Sequence, residues 1–196
     1  MEGTALSAQH DSVGSAPTKH TARRVGLTVL VIAAGLIAVL ATRPSTTASQ
    51  VFSPLVSHQA PPIGGATSSG APYSLPRAPG KYVVLNYFAS WCEPCQVEGP
   101  ELVKFQFEHQ AAADATMVSV IFDDAFDKAK NYQSQLGVTW PTLSDPGGRV
   151  ALSYGVREPP STFVIAPDGR VVAYVIAPVT AAFLDKIIAA AKATHA

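Results

Sequence analysis

Two cysteines, Cys92 and Cys95, are the only ones in 196 residues, and they stand three positions apart in Trp91-Cys92-Glu93-Pro94-Cys95. This spacing suits a dithiol–disulfide couple, half of a zinc site, or a short structural staple. Zinc needs two more ligands in register, and the chain offers no third cysteine and five scattered histidines, His10, His20, His58, His109 and His195. A staple across so short a loop removes little chain entropy. Reversible thiol–disulfide chemistry is the reading these residues favour.

The flanking segments supply what that chemistry needs. An apolar, β-rich run, Tyr82–Phe88, precedes the pair, and a helix-compatible stretch over Cys95–His109 follows it. A cysteine at a helix start faces unpaired backbone N–H groups and the positive end of the macrodipole, both of which favour a thiolate. Cys92 is expected as the exposed nucleophile, and Cys95, one turn inside, as the thiol that resolves a mixed disulfide. Pro94 fits the first helical turn, where its missing N–H costs nothing. Pro100 is expected to kink the helix near its first turns.

Further along, Thr116–Phe122 reads as a second buried strand and Phe126–Leu136 as a helix ended by Gly137. Val150–Tyr154 suits a short helix. Ser161–Ile165 and Val171–Ile176 flank the turn triplet Pro167-Asp168-Gly169 and read as an antiparallel hairpin. Thr180–Ala193 closes the chain as a helix with Phe183, Leu184, Ile187 and Ile188 at core spacing. The order βαβα then ββα predicts an α/β domain with a mixed sheet and helices on both faces.

The N-terminal third has another character. Residues 1–24 are polar and end in Arg23-Arg24, and Val25–Thr42 is an 18-residue uncharged apolar run. That length reaches the lower limit of a membrane-spanning helix, about 17–25 residues. The arginines before it place residues 1–24 in the cytoplasm and the remainder outside. A cleaved signal peptide is the competing reading, with small residues at Ala41–Ser49 as a cleavage site; the long polar leader weighs against it. Residues 43–70, rich in Pro, Ser, Thr, Gly and Ala, read as a linker with an ordered lead-in near Ser53–Tyr73. Residues 71–196 form one domain, carrying ten Lys/Arg and twelve Asp/Glu, and no basic stripe points to nucleic acid.

Trp-Cys-x-x-Cys after the first strand resembles the thioredoxin fold. More narrowly, Leu85-Asn86-Tyr87-Phe88-Ala89-Ser90-Trp91-Cys92-Glu93-Pro94-Cys95 and the single apolar anchor resemble the membrane-anchored TlpA/ResA-type thiol–disulfide oxidoreductases, over roughly Pro54 to the C-terminus. The resemblance implies Cys92 as attacking and Cys95 as resolving thiol, Glu98 as a partly buried acid beside them, and Pro160 as a cis-proline facing them. It also implies that Pro100 kinks the helix and that Trp91 shields the Cys92 sulfur and helps dock a partner. Asn86 stands where classical thioredoxins keep an aspartate, which strengthens the case for Glu98 as proton acceptor. Pro159, before the presumed cis bond, and Glu158, where glycine is common, depart from the family pattern and bear on partner range. Ala166 replaces a frequent aspartate at the surface.

The function implied is extracytoplasmic thiol–disulfide exchange with no cofactor beyond the Cys92–Cys95 disulfide and no metal. Glu93, and Glu98 when charged, oppose a Cys92 thiolate, which points to a reducing couple. The implied partners are exported proteins such as apocytochrome c and a polytopic membrane thiol carrier that restores the dithiol. An oxidative folding catalyst and a non-catalytic module for thiol-bearing chains are the alternatives. A peroxiredoxin expects Pro-x-x-x-Thr-x-x-Cys, and Tyr87–Trp91 contains neither the Pro nor the Thr.

Overall fold

A computed structural model describes residues 29–37, 48–67, 69–75 and 80–194. Two compact units divide between Ser45 and Thr46. In the first, residues 29–37 are helical with exposed apolar side chains, among them Leu30 and Ile37. The remainder of the expected anchor over 25–42, and the segment 1–24, lie outside the described residues. Among the described residues no helix is long and apolar enough to cross a membrane.

The second unit holds a small antiparallel hairpin, β1 (Gly64–Ala66) with β2 (Pro72–Ser74). A five-stranded sheet follows. Its strands are β3 (Tyr82–Phe88), β4 (Ala115–Ile121), β5 (Thr142–Ser144), β6 (Ser161–Ile165) and β7 (Val171–Val175), ordered β5-β4-β3-β6-β7. β3 pairs in parallel with β4, and β4 with β5, while β6 runs antiparallel to both β3 and β7. The helices of this unit are α1 (Glu93–Ala112), α2 (Phe126–Leu136), α3 (Arg149–Tyr154) and α4 (Ala181–Thr194).

β3 is buried at all seven positions because it is central and covered on both faces. Tyr82 and Val84 point to one apolar cluster with Leu102 and Phe105 of α1 and Leu184 and Ile188 of α4. Val83, Leu85 and Tyr87 point to the other, with Tyr154, Phe163 and Tyr174. Gly137 ends α2 with φ 74°, a left-handed conformation that costs glycine little.

The ordered lead-in expected near Ser53–Tyr73 is present and begins earlier, by Ala48, so the boundary expected at residue 71 is corrected: the domain begins well before it. The Val51 N–H donates to the Tyr174 carbonyl at 2.9 Å, and Ser57 and Val171 join through further backbone bonds. This strap covers the outer edge of β7, whose polar groups would otherwise lack partners, and it buries Ile63 in the sheet's second face. That face is consequently covered by α3 and the strap, not by long helices. The first helix begins at Glu93 and runs to Ala112, where the αL residue Ala113 caps it. β5, three residues long, adds a strand to the expected order.

Candidate active site

The cysteines meet where β3 hands the chain to α1. They are joined in a disulfide with Cα atoms 5.2 Å apart. Cys92 is the N-cap of α1, and its sulfur accepts the Cys95 N–H at 3.2 Å. This is the helix-start geometry that favours negative charge on that sulfur. Pro94 lies in the first turn and Pro100 inside the helix, where the Gln96 carbonyl loses its ladder donor.

Cys92 is not the exposed residue expected: it is 3% accessible, and Cys95 2%. Phe88, Ala89, Ile121 and Ala129 close around both. The open part of the motif is Trp91, 58% exposed, with Glu93 and Pro94. Trp91 is anchored by its Nε1–H to the Asp123 carbonyl at 3.0 Å, so its ring is held at the surface beside the cysteines.

Glu98 is fully enclosed at 1% accessibility. Its Oε1 accepts the Asn86 Nδ2–H at 2.8 Å and its Oε2 the Val179 N–H at 3.1 Å. Burial raises its pKa from 4.5 to about 7, although both hydrogen bonds pull it back down. Asn86 therefore holds the acid in place: its amide also donates to Thr162, its cross-strand neighbour on β6. Glu98 and Cys95 both line a small cleft of about 20 Å³, together with Asn86, Ser119, Tyr132 and Gln133. That is room for about one water.

On the outer side, a groove of about 500 Å³ runs past the motif, lined by Glu93, Pro94, Val97, Glu158, Pro159 and Pro160 among others. The Pro159–Pro160 bond is cis. The structure thus brings Trp91, Cys92, Glu93, Pro94, Cys95, Glu98, Pro159 and Pro160 to one end of the sheet.

Sequence reasoning missed Tyr132, whose hydroxyl donates to the Cys95 carbonyl at 3.0 Å, and the Val179 N–H. A tyrosine on an amphipathic helix and a backbone group carry no local signal. The role of Asn86 as a donor to Glu98 was legible only as a missing aspartate. Among the described residues no three His, Cys, Asp or Glu are grouped to hold a metal ion.

Fold and site together define a thioredoxin-like protein with a redox-type disulfide at the head of its first long helix. The AhpC/TSA family matches residues 56–174, and the chain belongs to that family. It is similar to the thiol:disulfide interchange protein HelX of Rhodobacter capsulatus, with 32% identity covering 56% of this chain and 60% of that protein. The thiol-disulfide oxidoreductase ResA of Bacillus subtilis is 32% identical over 58% of this chain and 63% of its own. A DsbE homolog of Paracoccus denitrificans is 35% identical over 61% and 65%. These names bear out the ResA-type resemblance, and the chain spans under two thirds of the length of each relative.

Among solved structures, a thioredoxin-family thiol:disulfide interchange protein from Chlorobium tepidum is 26% identical. It superposes with a TM-score of 0.61 over 70% of this chain and 97% of that one. A DsbF homologue from Corynebacterium diphtheriae, 25% identical, gives 0.63 over 76% and 96%.

Proposed function

We propose that the protein is an extracytoplasmic thiol–disulfide oxidoreductase acting as a disulfide reductase, held to the membrane by residues 25–42. The observation that carries this reading is the Cys92–Cys95 disulfide capping α1 with a protonatable Glu98 buried behind it. The relatives' printed names, interchange protein and thiol-disulfide oxidoreductase, support the same chemistry. The redox group is the disulfide itself, with no added cofactor.

In the reductive cycle the Cys92 thiolate attacks one sulfur of a partner disulfide, and the other partner sulfur leaves as a thiolate. Cys95 must then lose its proton before it attacks the Cys92 sulfur and releases the partner. Glu98, with a pKa of about 7, is the base for that proton across the cleft the two share. The helix start favours the Cys92 thiolate, as for any pair so placed. Glu93 beside it opposes that charge, and no Lys, Arg or His lies within the motif, so the couple leans reducing.

The uncharged run Val25–Thr42 behind Arg23-Arg24 supports an anchor with the catalytic domain outside. Exported proteins with disulfides, apocytochrome c among them, are the substrates this reading expects. Re-reduction requires a membrane thiol carrier, because the chain has no second cysteine pair.

An equilibrium titration of Cys92–Cys95 against dithiothreitol or glutathione tests the direction. A potential at or below about −250 mV fits a reductase, and one near about −120 mV makes the protein an oxidant instead. Glu98→Gln is expected to slow exchange above neutral pH; an unmoved rate–pH profile removes Glu98 from the mechanism.

A further inference from the structure

The groove beside the disulfide has an unusual hydrogen-bonding character. Four of its lining residues, Pro94, Pro159, Pro160 and Pro178, have no backbone N–H, and two more, Glu93 and Glu158, end in carboxylates. A proline wall offers carbonyl acceptors and no donors. Val97, 67% exposed, and Ile176 add an apolar strip along it. Among the described residues neither Glu93 nor Glu158 is in an ion pair. Arg157, next to Glu158 in the chain, does not line the groove.

We propose that this groove takes an extended partner segment bearing lysine or arginine around its reacting cysteine, an assignment that rests on the oxidoreductase reading above. An extended chain presents N–H and C=O groups alternately, and the four prolines of this wall match only the N–H groups. A segment rich in donors is therefore favoured over one that relies on its carbonyls. Lysine and arginine stems cover apolar surface while their heads reach for charge, which fits Val97 and Ile176 set beside Glu93 and Glu158. An acidic segment meets two carboxylates and no cation of the groove. Rim charges of this kind act on encounter rate and are sensitive to salt.

The chemistry read out is a balanced exchange. The Cys92 thiolate attacks the peptide sulfur of a peptide–mercaptoethanol disulfide, and mercaptoethanol leaves as its thiolate. The Cys95 thiolate then attacks the Cys92 sulfur, the peptide thiolate leaves, and two electrons have passed from the protein to the peptide–mercaptoethanol disulfide as Cys92–Cys95 forms.

The test uses reduced full-length protein and three peptides of equal length, each with one cysteine blocked by mercaptoethanol and flanked by lysines, glutamines or glutamates. Second-order rates are divided by those of dithiothreitol on the same peptides, which removes intrinsic thiol reactivity. The lysine peptide is expected to react about threefold to tenfold faster than the glutamine peptide at low salt, and the glutamate peptide slower than both. The preference should fall below about twofold at about 0.5 M salt and in a Glu93→Gln/Glu158→Gln double variant. Equal normalised rates, or a preference that survives the double variant, overturn the groove assignment. No exchange with any peptide overturns the oxidoreductase reading beneath it.

Discussion

Glu98→Gln tests the electrostatics of the site through stability alone. Unfolded, the Glu98 carboxyl ionises at about its ordinary value of 4.5; folded, it does so at about 7. An acid whose folded pKa is raised weakens the fold as pH climbs, because the folded state resists giving up the proton. The penalty is absent below pH 4.5, grows between 4.5 and 7, and is complete above 7. That shift corresponds to about 3 kcal/mol. A glutamine cannot ionise, so the penalty vanishes in the variant.

The new amide places a donor toward one of the two groups that now donate to Glu98. A rotation of the Asn86 amide removes the conflict at that side: its oxygen then accepts from the introduced glutamine and from the Thr162 hydroxyl, which can turn to donate. The assay is urea unfolding of the full-length disulfide form from pH 4 to pH 8. Because distant titrating groups contribute equally to both proteins, the variant-minus-native difference isolates Glu98. It is expected to rise by about 3 kcal/mol across that range in favour of the variant. A difference that stays flat with pH refutes the buried, protonatable Glu98.

Other outcomes follow from single contacts. Among the described residues the buried Tyr87 hydroxyl has no hydrogen-bond partner, so Tyr87→Phe should raise stability by about 1 kcal/mol in urea unfolding; a loss of that size contradicts it. A Cβ on Gly99 would stand 2.6 Å from a Leu136 methyl and 2.7 Å from the Tyr132 hydroxyl. Gly99→Ala should therefore destabilise by about 1–2 kcal/mol despite its better helix propensity, and it should disturb the Tyr132 bond to the Cys95 carbonyl. Thermal denaturation and the redox potential read the two effects. His109 lies 2.7 Å from Asp114 and 2.8 Å from Asp185, tying α1 to α4. Burial lowers its pKa, but hydrogen bonds and charge from both aspartates outweigh that and raise it above 6.5. The stabilisation is complete below pH 6.5 and fades as pH rises through the folded value. His109→Gln should accordingly cost more at pH 5.5 than at pH 9, and an equal cost at both pH values contradicts the pairing.

Much of the framework was readable because the signals were local. Tyr82–Phe88 is a largely apolar run and Ser161–Ile165 precedes a clear turn triplet, and both strands have the expected bounds. Gly137 marked the end of α2 by its conformational freedom. β5 has only three residues, too short for any periodicity to show. The strap over residues 50–60 has no periodicity that marks a strand, and its bridges to β7 come from residues more than a hundred positions away, so the sequence places its start too late. At the site, a helix start ordinarily faces solvent, which is why the sequence suggests an open Cys92; long-range packing by Ile121 and Ala129 buries it. Glu98 was placed by its position in the motif, whereas its raised pKa comes from burial by the whole fold, and the groups that hold it and temper that shift, Asn86 and the Val179 N–H, lie on other elements.

The central claim is that Cys92 attacks and Cys95 resolves, and trapping separates the two sulfurs directly. Cys95→Ala protein, reduced and mixed with a disulfide-bonded peptide, should accumulate a mixed disulfide on Cys92 that mass spectrometry locates. Cys92→Ala should yield little adduct, because Cys95 lies one turn inside the helix, away from the capping position that favours a thiolate. Equal trapping on both single-cysteine proteins, or adduct on Cys95 alone, contradicts the account.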